Sequence, residues 1–316
     1  MTDSARDTDP PEHEVVVVGG GPAGLQAALT LGRVHRDTVL VDAGQGRNAP
    51  ASHLHNLITR DGTDPAEFRR LAREELRAYP TVEVREGRVT SLRPAEGTTG
   101  ESGRTAYLVE LEDGTSLRTR CVILATGVRD RLPEIPGIAE LWGDLVAQCP
   151  FCHGHEFAGR RVAILGAEPA THLAGILRPV AAELVVLTHG EEPPADLPSF
   201  VTTVRTERVT GVGRAGDGLE VRLAAGDPVR VDGLFTPTTM RQAAPFAEQL
   251  ALGLNESGCT RVDESCRTSL PRVYAAGDMA HVEALPMPMT SVAQAIASGM
   301  LAGSTAVKDL VEDEIG

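Results

Sequence analysis

Hydrophobic positions fall in short blocks along the chain, and the first block is the most regular. Four valines, Val15 to Val18, are followed by Gly19, Gly20 and Gly21, then by the small and apolar stretch PAGLQAALTLGR, then by TVLVDA. A β-branched run reads as a buried strand, glycines as a tight turn and an Ala- and Leu-rich stretch as a helix. Residues 14 to 44 therefore predict a strand–helix–strand unit of about 30 residues. A polar loop, RNAPASHLHNLITRDG, and a charged helix, PAEFRRLAREELRAY, come next. Shorter segments, VEVREGRVTSL and AYLVELEDGTSLRT with its Asp113-Gly114 turn, predict a meander beside the first sheet. RCVILATG is another buried strand, and RDRLPEIPGI, with two prolines, reads as a crossover. At RRVAILGAEPATHLAGILRPVAAELVVLTHG the strand–helix–strand pattern starts again. The C-terminal part holds VYAAGDMA, a strand entering a turn, and SVAQAIASGMLAGSTAVKDLV, a long helix whose small residues suit close backbone approach.

Length and charge narrow this picture. A chain of 316 residues can form two domains, each with its own core. A formal net charge of -14 disfavours nucleic acid and anionic membranes, which call for clustered positive charge. No stretch approaches the roughly 18 apolar residues of a membrane span, and MTDSARDTDPPEHE lacks a signal pattern. Residues 1 to 13 are expected as a disordered tail, structure is expected to begin at Glu14, and the location is expected to be cytoplasmic.

Candidate chemistry starts at the first turn. Gly19, Gly21 and Gly24 form G-x-G-x-x-G between strand and helix, where glycines permit the turn, the approach of a pyrophosphate and close helix–strand packing. Asp42 ends the second strand, 18 positions after Gly24, where a carboxylate can bind ribose hydroxyls. Strand, helix and acid in register point to a bound dinucleotide.

QCPFCHGHE, from Gln148 to Glu156, allows two readings. Cys149, Cys152, His153 and His155 could be half of a zinc site or a reversible disulfide with an adjacent base. A closed zinc site needs about four ligands, and Cys121, Cys259 and Cys266 form no second knuckle. Five cysteines at irregular spacing also do not make a secreted disulfide framework. The redox reading is preferred and no metal is expected.

GGGPAGLQAA, ILATG at Ile123 to Gly127, and VYAAGDMA at Val273 to Ala280 resemble the FAD-binding segments of the low-molecular-weight thioredoxin reductases. The likeness runs from Glu14 to about Val311. It implies an α/β fold of two doubly wound, three-layer dinucleotide-binding-type domains, the second inserted into the first. Residues 14–127 and 239–316 would form the FAD domain, and 128–238 an NADPH-domain-like insert carrying the redox pair. FAD would lie on the glycines above with Ala23 and Asp42, on Arg47, on Ala125, Thr126 and Gly127, on Gly277 and Asp278, and near Met289. The likeness further implies a homodimer, with Cys149 and Cys152 as the redox-active disulfide.

Two departures from that family set direction. Where the reductases have a second glycine fingerprint, this chain reads Gly166-Ala167-Glu168-Pro169, and the next strand ends in Thr188-His189-Gly190 with Glu191 and Glu192 in place of arginines. NADPH binding is therefore expected to be poor. Where the reductases follow the cysteines with an aspartate, His153 stands, suited to take protons from thiols. C-x-x-C-H-G with a degraded nicotinamide site resembles the dithiol oxidases that close disulfides in microbial natural products such as gliotoxin, holomycin and romidepsin. It is also similar to the ferredoxin-linked flavin thioredoxin reductases. The implied activity is oxidation of a small-molecule dithiol with oxygen as acceptor, with His55 and His155 facing substrate. The alternative is a disulfide reductase drawing on NADPH or a protein donor and serving a thioredoxin-like protein.

Overall fold

The valine run forms the strand Glu12–Val18, whose residues alternate between two faces of one sheet. Val15 and Val17 meet the helix Pro22–Arg33, while Val16 and Val18 face a second apolar layer that includes Tyr107, Phe246 and Leu250. The structure, a computed structural model, describes residues 10–95 and 106–315, so residues 1–9 of the expected tail lie outside the described residues. The strand opens at Glu12 rather than Glu14, because Glu12 and His13 extend the parallel pairing with Arg118 and Thr119 and His13 Nδ1 lies 2.9 Å from Asp37.

The chain divides into two units. The first takes the chain up to Arg47, then Ala66–Arg129, then Met240 onward; the second takes Asn48–Pro65 and Asp130–Thr239. Allocation of Asn48–Pro65 to the second unit follows from close backbone contact, since a Cβ on Gly143 would lie 2.9 Å from the carbonyl oxygen of Pro50.

The first unit is built on a seven-stranded sheet. Its order runs Val82–Glu86, Thr38–Asp42, Glu12–Val18, Ser116–Leu124, Tyr107–Leu111, Val89–Pro94. The nine-residue strand Ser116–Leu124 is long enough to take Tyr107–Leu111 antiparallel at its start and Val273–Ala275 parallel at its end. The expected meander is thus part of the same sheet, with Gly114 at φ +84° in the Asp-Gly turn. The last helix, Val292–Ile315, lies against Pro22–Arg33 through small residues. A Cβ on Gly299 would come within 2.1 Å of the Ala23 carbonyl oxygen.

The second unit repeats the plan with a five-stranded parallel sheet: Thr203–Arg205, Glu183–Leu187, Arg161–Leu165, Gly233–Phe235, Val146–Ala147. A three-stranded antiparallel sheet, Val209–Ala215, Gly218–Leu223 and Val229–Val231, accompanies it. Its crossover helix, Ala170–Leu177, has only eight residues. Among the described residues no helix is long and apolar enough to cross a membrane.

Candidate active site

In the first unit three turns meet at the carboxyl ends of three parallel strands, where open α/β sheets hold ligands. Val18 leads into Gly19–Gly24, Leu124 into Ala125–Gly127, and Ala275 into Ala276–Asp278; Ala125 N donates to Val18 O and Ala276 N to Leu124 O. Gly19 sits at φ +110° and a Cβ there would be 2.4 Å from Ala125 O. A Cβ on Gly24 would be 1.8 Å from Gly19 O. Gly21 differs: a Cβ there meets nothing within 4 Å. It precedes a helix with no side-chain cap and no acidic residue in its first turn, so uncapped backbone N–H groups and the positive end of the helix dipole face open space. That is the environment a pyrophosphate requires.

Asp42 is buried and accepts from Gly44 N at 3.1 Å and from the Arg73 guanidinium. Each carboxylate oxygen offers two acceptor sites, so ribose hydroxyls can still donate to it. Gly20 must be glycine because a Cβ would lie 2.4 Å from the Asp42 carboxyl carbon. Arg47 Nη1 donates to Asp278 Oδ2 at 2.8 Å, joining two of the expected cofactor residues. Gly277, at φ +76°, donates its N–H to Ser298 Oγ and comes so near Ala23 that an added Cβ would be 3.0 Å from the Ala23 methyl. Thr126 Oγ1 lies 3.3 Å from Met279 Sδ. Met289 is exposed and lines a cleft with Gly277, Ser298 and Leu301. The cradle fits FAD: a glycine turn, a bare helix start and a ribose carboxylate converge.

The residues expected to be redox-active lie in the second unit. Cys149 precedes the four-residue helix Pro150–His153, and the N–H groups of Cys152 and His153 donate back to Cys149 O. The sulfurs of Cys149 and Cys152 are 2.8 Å apart, so closing a bond of about 2.0 Å needs little movement. Gly154 is required by packing, since a Cβ would be 2.4 Å from Pro150 O. Phe157 fixes the far end of the segment, stacked edge-on against Phe235 with ring centroids 5.9 Å apart. His153 is partly buried with Nε2 3.4 Å from Gly143 O. Burial lowers its pKa below the ordinary imidazole value, against the opposing pull of the Gly143 carbonyl, so the ring is unprotonated near neutrality and free to accept a proton. Phe151, between the cysteines, is 66% exposed. The other cysteines are buried, and burial raises their thiol pKa values, Cys121 to about 12 and Cys266 to about 11. They are poor nucleophiles.

His155 is exposed on the 3-10 turn His155–Phe157 that continues the redox helix. His55 is tied to that turn through Glu156, its Nε2 being 3.3 Å from Glu156 Oε1. Among the described residues no group of three or more His, Cys, Asp or Glu is arranged to hold a metal ion.

The second turn bears on nucleotide binding. Ala167 N donates to the Glu191 carboxylate at 3.4 Å, and Gly166 N donates to Leu187 O. Pro169 has no N–H to offer, and Thr171 Oγ1 donates to Asp196. Glu191 thus places a carboxylate within hydrogen-bonding reach of an amide of this turn. The sequence pattern marks Glu191 as an acid in place of arginine; its contact across 24 positions is a product of folding. Arg73, on the charged helix, carries no sequence signal as a partner of Asp42.

Residues 13–299 match the family model described as pyridine nucleotide-disulphide oxidoreductase. A thioredoxin reductase of Leptosphaeria maculans, sirT, is 32% identical, covering 94% of this chain and 94% of its own. Among solved structures, an oxidoreductase from Agrobacterium tumefaciens is 34% identical with a TM-score of 0.84, over 95% of this chain and 99% of its own. The structure of HlmI is 32% identical with a TM-score of 0.85, over 96% of this chain and 94% of its own.

Proposed function

The chain belongs to the pyridine nucleotide-disulphide oxidoreductase family, and from that premise we propose that it oxidises a small-molecule dithiol to a cyclic disulfide, oxygen being reduced to hydrogen peroxide. It is an FAD-dependent oxidoreductase acting on sulfur groups. Bound FAD supplies a two-electron acceptor that oxygen can reoxidise. In this reading Gly19, Gly21 and Gly24 hold its pyrophosphate, Asp42 its ribose, and Arg47 with Asp278 the chain between them. Ala23, Ala125, Thr126, Gly127 and Gly277 keep the backbone close, and Met289 borders the site.

His153 takes a proton from one substrate thiol, and the thiolate attacks Cys149 of the oxidised pair, expelling Cys152 as thiolate. The second substrate thiolate then displaces Cys149, closing the product disulfide. Phe151 offers an exposed apolar face beside the pair, which suits an organic dithiol, and in this reading His55, linked to Glu156, and His155 meet the substrate. A cytoplasmic homodimer is part of the proposal, supported by the family likeness.

The observation that carries direction is the Glu191 carboxylate on the Ala167 amide. An internal anion there, with Glu168 and Asp196 nearby in sequence or contact, opposes NADPH and leaves thiols as the source of electrons. The competing reading is a reductase of thioredoxin-like partners, favoured by the name of the fungal relative. Stoichiometry tests the proposal: with a small dithiol in air, peroxide and product disulfide should form in equal amounts. Disulfide without peroxide would rule out oxygen as acceptor.

A further inference from the structure

Oxidising a dithiol by exchange with the enzyme disulfide breaks two substrate S–H bonds and the Cys149–Cys152 bond. It makes one product S–S bond and two enzyme thiolates, and two protons remain to be placed. His153 accounts for one. We infer that His55 is the acceptor of the second, holding it between the carboxylates of Glu156 and Asp61 and releasing it to water through Asp61. This inference rests on the dithiol-oxidising reading.

The geometry is specific. His55 Nε2 is 3.3 Å from Glu156 Oε1 and Nδ1 is 3.5 Å from Asp61 Oδ1. A protonated ring can donate one N–H to each carboxylate; a neutral ring has only one to give. Glu156 lies on the turn that directly continues the redox helix, which ties His55 to the cysteine segment. The loop carrying His55 is anchored rather than loose. Leu54 between the two histidines is buried, its N–H donates to Thr63 O, and it accepts from Gly62 N.

Asp61 makes the exit. Its side chain is 66% exposed, and the Asn56 backbone N–H, donating at 2.7 Å, holds its carboxyl below the usual carboxylate range. The other titratable groups facing this site are His53, with ring centroid 6.1 Å from that of His55, His155, which acts electrostatically on Asp61, and His153 itself, on which both His55 and Glu156 act. One carboxylate therefore faces the redox helix and the other faces solvent, with a single imidazole between them.

The test uses FAD-loaded protein and dithiothreitol as the dithiol, following peroxide in dilute non-imidazole buffer. His55→Ala should lose at least about 10-fold in rate, the lower side of what a positioned acid/base contributes, with FAD content unchanged. Added free imidazole should restore that rate in proportion to its concentration and leave the unaltered enzyme unaffected. A full rate in His55→Ala, or a loss that imidazole does not repair, overturns the inference. Should His55→Ala fail to retain FAD, Asp61→Asn on the exposed loop carries the test. Its rate must fall in dilute buffer and recover as imidazole rises, and a rate equal to the unaltered enzyme under both conditions overturns the relay. If the unaltered enzyme itself makes no peroxide from the dithiol, it is the oxidase reading that fails.

Discussion

Three adjacent glycines answer to three different neighbours. Gly19 needs its φ of +110°, Gly20 lies under the Asp42 carboxyl, and Gly21 faces open space at the start of an uncapped helix. Gly21→Glu should therefore fold but lose FAD, because its side chain enters the space a pyrophosphate would take. Equal flavin absorbance in folded variant and parent would sink this assignment. His153 gives a pH prediction. Its folded-state pKa is lowered by burial, so the neutral base persists below the ordinary value of about 6.5. The acid limb of kcat/KM for dithiol oxidation should lie below that pH, and a fall starting above pH 7 would contradict it. By linkage, the unfolded ring protonates first, so stability from this group falls as pH drops below about 6.5. His153→Ala should slow turnover by about 100-fold without loss of FAD. Glycine spacing and Asp42 were legible in the sequence because turn chemistry is local. Arg73 was not: an arginine on a charged helix looks the same whether it meets solvent or Asp42, 31 positions away.

At the scale of elements, the last helix sets how closely the cradle closes. Gly299 and Gly303 press on the backbone of the first helix at Ala23 and Ala27, and Asp309 near the other end accepts from Tyr274 and, bidentately, from Arg267. Gly299→Leu has no space beside the Ala23 carbonyl and should destabilise the fold by about 3 kcal/mol or more in denaturant unfolding. An unchanged midpoint would show that the two helices can separate without cost. The small-residue pattern of this helix foretold its close packing. The loop Asn48–Pro65, expected with the FAD domain, groups with the second unit instead: its polar residues have no period to place it, and Pro50 lies against Gly143 while His55 meets Glu156.

For the molecule as a whole the question is where electrons enter. Two dinucleotide-type folds are present, yet only the first has an open glycine turn; the second holds its own carboxylate at the turn amide. The acids at Glu168, Glu191 and Glu192 were visible as departures from a glycine and arginine pattern. The Glu191 contact itself depends on how the chain turns after His189, a residue at φ +57° whose Nδ1 accepts from Val209 N. Electrons should then enter from thiols at Cys149. Anaerobic rapid mixing of FAD-loaded protein with NADPH, and separately with a small dithiol, tests this most directly through flavin absorbance. The dithiol should bleach the flavin, and micromolar NADPH should leave it oxidised. Bleaching by micromolar NADPH within a second, with dithiols inert, would contradict entry from thiols.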